Sequence, residues 1–339
     1  MALAAGSVAA GLASRRVETA TSRRGLVILG VAGMATGAVA LGAAPSLPAT
    51  IAASLLMGLA GTLTLVGAQA ALADQHADRR AVALSEGNVA ASLGALGVPL
   101  VVGAGEAIGL GWRLALGAGA AAGALLAWRV RASGIHEPAV VAGRDGAGPL
   151  PDRARVGLVL IFCAVCAEWS VSFWGATFAD DVVGLSTDAA VALSSAFFGA
   201  MLAGRLVGGA LARRVSAERV VAGALAVAVG GFPVLWLAQG IASAGTGLIL
   251  VGLGIGSLFP MCAAITFAAA PGLTTLVSGR AVTAGSTAML LAPLALGQIA
   301  DAGGLRVAFG LVPVFLALAA TTLAVLARTP HPAPATATA

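Results

Sequence analysis

Ten stretches of the chain run for about twenty residues with almost no charge, near 25–45, 50–72, 88–110, 112–130, 156–179, 187–211, 219–238, 241–268, 281–300 and 305–327. Crossing the hydrocarbon core of a bilayer, about 30 Å thick, takes about 20 apolar residues. Inside it every backbone N–H and C=O must find a partner, which leaves helices and closed barrels as the spanning forms. The runs are apolar without interruption and show no alternation at every second position, so they read as helices rather than barrel strands. They break at turn formers such as AAPSLP at 43–48 and APGL at 270–273. Composition agrees, since 59% of the residues are hydrophobic and 10% charged, against roughly 25% charged in soluble domains. The expected fold class is all-α and integral to the membrane. A further apolar run at 2–13 is too short for an eleventh span. No basic residue precedes it, so it does not read as a secretory signal.

Basic residues test this count, because cytoplasmic loops carry the excess of them. The chain has nineteen basic residues, all arginine. Arg15, Arg16, Arg23 and Arg24 precede the first span, and Arg79 and Arg80 follow the second. Arg129, Arg131, Arg144, Arg153 and Arg155 lie between the fourth and fifth, Arg213, Arg214 and Arg219 after the sixth, Arg280 after the eighth and Arg328 after the tenth. Only Arg113 and Arg306 fall in the opposite loops, with Asp180, Asp181 and Asp301, while Arg205 sits within a span. The arginine-rich side is expected to be cytoplasmic. Arginine without lysine, together with abundant Gly, Ala and Val, points to a GC-rich bacterial gene and a multi-pass protein of the inner (cell) membrane. The net charge of +5 is scattered between apolar runs and forms no stripe, which excludes nucleic acid as a partner.

Residues 131–155 form the only long polar segment, rich in Gly, Pro and Arg, and read as a connection between two bundles. The expected organisation is an N-terminal bundle over 1–130, this cytoplasmic linker, a six-helix bundle over 156–327 and a disordered Pro/Ala tail over 328–339. The halves echo each other: GLASRR at 11–16 resembles GALARR at 209–214, each closing an apolar run. Shifting the fifth and sixth spans back by the offset between these echoes puts their counterparts ahead of Met1. The expectation is therefore a two-halved, twelve-helix plan with parallel repeats that lacks its first helix and about half of its second.

With these residues in view the chain resembles the major facilitator superfamily. GLASRRVETATSRRG at 11–25 and GRLVGGALARR at 204–214 resemble its arginine-bearing loop between the second and third helices of each half, although neither carries the usual aspartate, with Ser14 and Ala212 near its place. HADRRAVALSEGNVAASLGALGVPL at 76–100 resembles the loop from its fourth to its fifth helix. EWSVSFW at 168–174 and GLGIGSLFP at 252–260 resemble sugar-permease-like and fucose-permease-like members. The resemblance implies two helical bundles related by a pseudo-two-fold axis, which rock about a central cavity so that one solute passes per cycle, in many members driven by a proton gradient. A full-length chain is expected to be a monomer.

Glu168 is the residue that most needs explaining. It lies near the centre of its span, where an ionised acid costs about 2.5–3.5 kcal/mol even on a lenient scale. It must face protein or water, or hold a proton. The candidate solute or proton pathway is Glu168, Trp169, Ser172 and Trp174, joined by the amides of Gln69, Asn88, Gln239 and Gln298. The competing reading for each is a bond between helices. Glu106, near an outer end, is a weaker candidate. Arg205, with Arg15, Arg16, Arg213 and Arg214, is expected at a gate or in the cytoplasmic loops. The glycines of GLGIG and GRLVGG are expected to let helices cross closely.

Cys163, Cys166 and Cys262 lie in apolar runs and His76, His136 and His331 outside the spans, so no metal, cofactor or catalytic constellation is expected. The function read from the sequence is secondary or facilitated transport of a small polar or neutral solute, possibly a sugar, by alternating access. Efflux of a drug or metabolite is one alternative, and a non-transporting scaffold or sensor is the other.

Overall fold

Capping hydroxyls, glycines and prolines set where the apolar runs stop. In the computed structural model, which describes residues 2–109, 111–132 and 150–329, the chain forms α1 (Ala2–Thr21), α2 (Arg23–Ala43), α3 (Leu47–Gln75), α4 (Arg80–Ala107) and α5 (Arg113–Ala132). A second group follows: α6 (Asp152–Thr177), α7 (Thr187–Leu211), α8 (Ala217–Trp236), α9 (Ile241–Gly256), α10 (Leu258–Ala268), α11 (Thr274–Gly303), α12 (Leu305–Ala308) and α13 (Leu311–Arg328). Residues 133–149 of the expected linker and 330–339 of the expected tail lie outside the described residues, as do the side chains of Arg15 and Glu106.

Among the described residues, eight helical stretches are long and apolar enough to cross a membrane, α9 with α10 and α12 with α13 each counting as one. The third and fourth expected spans are the helices α4 and α5, of 28 and 20 residues. The run at 2–13 remains too short for a span, its apolar part being Ala5–Ser14, but the helix that carries it continues through Arg16 and Glu18 to Thr21, giving α1 a length of 20 residues. Helix formation depends on backbone bonding, which does not stop where hydrophobicity does.

The α1–α2 turn is abrupt. Ser22 adopts φ 84° and accepts a hydrogen bond at its Oγ from the Gly25 N–H, 3.2 Å, so a serine both caps α2 and takes a backbone form that favours glycine. Beyond α6 a π turn over Phe178–Val182 redirects the chain, with Phe178 and Phe309 packed ring to ring at 4.3 Å in the core. That core, which includes Leu160, Phe197, Ile255, Phe267 and Leu316, is centred on the second bundle and takes in Ala73 and Leu84 of the first, which also holds a small cluster at Val27, Val31 and Ala127.

The glycine runs meet. The backbone of Leu253 fills the space where a Cβ on Gly204 would go, and the Met201 carbonyl does the same at Gly256. GLGIG on α9 therefore packs directly on the glycine face of α7, a van der Waals contact of the kind that joins helices in lipid. The bundles meet where α1 and α3 pack on α11, and α4 on α7 and α10. Two of these crossings mirror each other: Gly11 of α1 abuts Gly279 of α11, and Gly209 of α7 abuts Ser85 of α4. Gly11 and Gly209 hold the same place in GLASRR and GALARR, so the echoed sequence builds equivalent crossings in the two pseudo-symmetric bundles.

Candidate functional site

Two ionisable side chains expected at different depths come together between the bundles. Glu168 on α6 accepts from Arg205 Nη2 on α7 through Oε1 at 3.4 Å. Both side chains are mostly buried, 15% and 18% exposed, so each offsets a charge that would be costly alone in an apolar interior. Arg205 is held from two further directions. Its Nε donates to the Gly256 carbonyl at 3.1 Å, and its Nη1 donates to Ser92 Oγ of α4, in the other bundle. The Arg205 carbonyl in turn accepts from Ser85 Oγ at 2.9 Å.

This pair stands where two cavities meet. One, of about 480 Å³, lies between α4, α6 and α7, with Trp169, Phe173 and Phe198 on its walls and Ser92, Ser172 and Ser195 as its hydroxyls. The other, of about 200 Å³, is reached from Asn88, Phe259 and Ser286, and shares Glu168, Trp169 and Arg205 with the first. Four of the sequence candidates, Glu168, Trp169, Ser172 and Arg205, line the larger cavity, and Asn88 joins at the smaller. The Asn88 amide is partly committed, since Nδ2 donates to the Leu84 carbonyl at 2.9 Å.

The other candidates point elsewhere. Trp174 donates from Nε1 to the Pro293 carbonyl at 3.0 Å and rests against Gly297, so it braces α6 on α11 within one bundle and lines neither cavity. Gln69 is buried away from both and accepts from Ser278 at 3.3 Å, a bond between bundles. Gln239 is exposed in the α8–α9 connection, and Gln298 is exposed near the far end of α11. One hundred degrees per residue places each side chain, and in uniformly apolar spans the sequence does not fix which face turns inward. Arg16 and Arg214 are exposed on the arginine-rich face, where Arg213 reaches across to Glu86 at 2.7 Å.

A cluster missed in the sequence reading ties the bundles together. Arg23, 2% exposed, pairs with Glu18 at 3.3 Å and Asp74 at 2.9 Å, and donates to Thr275 Oγ1 at 3.1 Å. Thr275 donates to Glu18 at 2.6 Å and Thr274 to Asp74 at 2.6 Å. The two acids thus lie against the first turn of α11, where the helix dipole favours negative charge. The available signal was Glu18 and Asp74 themselves, two of only fourteen acids, each set beside an arginine run. The described hydrogen bonds between the bundles, from Ser278 to Val66 and Gln69 through to Ser92, all fall within the arginine-rich halves of their helices. The bundles are pinned on that side, and the larger cavity extends away from it.

A family model described as the Major Facilitator Superfamily matches residues 1–293. No curated protein sequence matches the chain. Among solved structures, the chain is similar to FucP, a major facilitator transporter in an outward conformation, with a TM-score of 0.80 and 14% identity over 96% of this chain and 88% of that one. It is also similar to the human organic anion transporter MFSD10, TM-score 0.75 and 18% identity over 96% and 82%. The proton:xylose symporter XylE gives a TM-score of 0.77 and 13% identity over 96% and 84%.

Proposed function

Because the chain belongs to the major facilitator superfamily, we propose that it carries a small polar solute across the membrane by alternating access, with Glu168 and Arg205 at the centre of the pathway. The single observation behind this reading is the position of that pair: an acid and a base from one bundle, tied to Ser92 of the other, where two cavities meet. A charge pair there is positioned to change partners when the bundles rock. The multi-pass chain sits in a bacterial inner membrane with its arginine-rich face cytoplasmic, the N-terminal bundle over 1–130, a linker over 131–155 and the second bundle over 156–327. Hydrogen bonds between the bundles on the arginine-rich side support a form closed to the cytoplasm. The bonds from Thr274, Thr275 and Ser278 to the first bundle form the inner gate, with Arg213 and Glu86 at its rim.

Proton coupling through Glu168 fits the same geometry, since a proton on its carboxylate releases Arg205. Two of the similar solved structures belong to a fucose:proton and a proton:xylose symporter, which supports uptake of a small polar solute together with a proton. Efflux of a more apolar compound is the second reading, favoured by the aromatic walls of the larger cavity.

The test is the accessibility of Ser286→Cys, in the smaller cavity, to a membrane-impermeant maleimide. The protein is expected to label from the outer face in right-side-out vesicles. Once the inner gate is loosened by Thr275→Val, it is expected to label from the cytoplasmic face as well. Labelling from one face only, whatever the gate variant, would favour a static scaffold and end the transport reading.

A further inference from the structure

The larger cavity has a charged floor and an aromatic wall. Helix α7 ends at the arginine-rich face while α6 and α4 start from it, so position along each helix reports depth. Arg205, Glu168 and Ser92 lie together at the deep end. Leu202 and Phe198 stand one and two turns above Arg205 on α7, the latter about 10 Å higher at 1.5 Å per residue, and Phe173 rises one turn above Trp169 on α6. Phe173 and Phe198 line this cavity and are 62% and 46% exposed.

From this layout we infer that the solute is an amphipathic organic carboxylate, whose head group takes the place of Glu168 on Arg205 while its apolar body lies along Leu202, Phe198 and Phe173. The inference rests on the transport reading of the site. Three observations select the class. Arg205 is fixed by the Gly256 carbonyl and Ser92 and does not lose its charge, whereas Glu168 has no other described hydrogen bond and can move or accept a proton. The 3.4 Å contact between them is long beside the roughly 2.7–2.9 Å of a good charge-assisted bond, so a carboxylate that meets the guanidinium fork squarely displaces it. An ammonium head would instead have to approach a cation that can neither move nor discharge.

The test is binding of labelled 3-phenylpropionate to the full chain in nanodiscs, with octanoate, 3-phenylpropan-1-ol, 3-phenylpropylamine and D-xylose as competitors. Octanoate is expected to displace the label, and the alcohol, amine and xylose to do so at least tenfold less well. Arg205→Gln should weaken binding at least tenfold. Glu168→Gln, which removes the internal competitor, should tighten it about threefold or more, a change that a misfolded variant could not produce, and Phe198→Ala should weaken it severalfold. The inference is overturned if neither carboxylate binds saturably, if the alcohol, amine or xylose competes equally, or if Glu168→Gln binds the carboxylate less tightly. Carboxylate binding with no flux in proteoliposomes would sink transport and support the binding site. Xylose flux indifferent to 3-phenylpropionate would sink the carboxylate and keep transport.

Discussion

Replacing Thr275 with valine removes one hydroxyl from the contact between the two bundles and little else. Thr275 is 3% exposed. Its hydroxyl donates to Glu18 at 2.6 Å and accepts from Arg23 at 3.1 Å. Glu18 and Arg23 also pair with each other at 3.3 Å, a contact within the first bundle that the substitution does not touch, so the loss falls on the link to α11. A hydrogen bond to a charged partner is worth about 1.5–3 kcal/mol, and every 1.4 kcal/mol is about tenfold in an equilibrium. The ratio of closed to parted inner ends should therefore fall by about 10- to 100-fold. Spin labels at Gln75→Cys and Arg280→Cys, both exposed near the gate, report the distance across it by pulsed electron resonance. The three native cysteines are buried and do not compete for label. The parent should give one short distance, Thr275→Val a second and longer one, and Thr275→Ser the parent pattern. An unchanged distribution in Thr275→Val would refute the claim that this hydroxyl holds the bundles together.

Other perturbations test the packing. Gly279→Val places atoms where Ser14 Oγ and the Gly11 carbonyl already sit, and the same spin-label pair should then report mainly parted inner ends; a retained short distance would count against the α1–α11 crossing. Arg153, 5% exposed, clasps the Leu326 and Thr329 carbonyls and Glu218. Arg153→Gln should cost about 2–4 kcal/mol, seen as a lower melting temperature in detergent, and an unchanged melt would deny the clasp. Trp174→Phe should lose about 1 kcal/mol of stability with its bond to Pro293 yet leave solute flux intact, whereas a flux defect would return Trp174 to the pathway. Ser22→Gly should raise the melting temperature, because relief of the φ 84° backbone, about 1–3 kcal/mol, exceeds the few tenths lost at the cap.

The spans themselves were legible because partition into a membrane is decided residue by residue. The expected run at 187–211 is α7 to the residue, and 241–268 covers α9 and α10 together. The exception at the other extreme is α1, whose polar second half hid a helix that the hydrophobic run did not reach. Facing was harder to read. A helix apolar all round carries no stripe to mark its inner side, which is why Trp174 and Gln69 turn away from the cavities while Trp169, a neighbour of Glu168, faces them.

The sequence by itself determined that this chain is a set of membrane helices with arginines gathered on one side, and that Glu168 and Arg205 were the charges within them that needed partners. The tertiary structure alone decided that they partner each other, 37 residues apart, and that Glu18, Arg23 and Asp74 close on threonines 200–257 residues further along. Hydrophobicity and sidedness are local free energies, summed over a span and its flanks. Which helix face meets which neighbour depends on small residues and shape across distant segments, such as Gly11 on Gly279, and exists only once the bundles have packed.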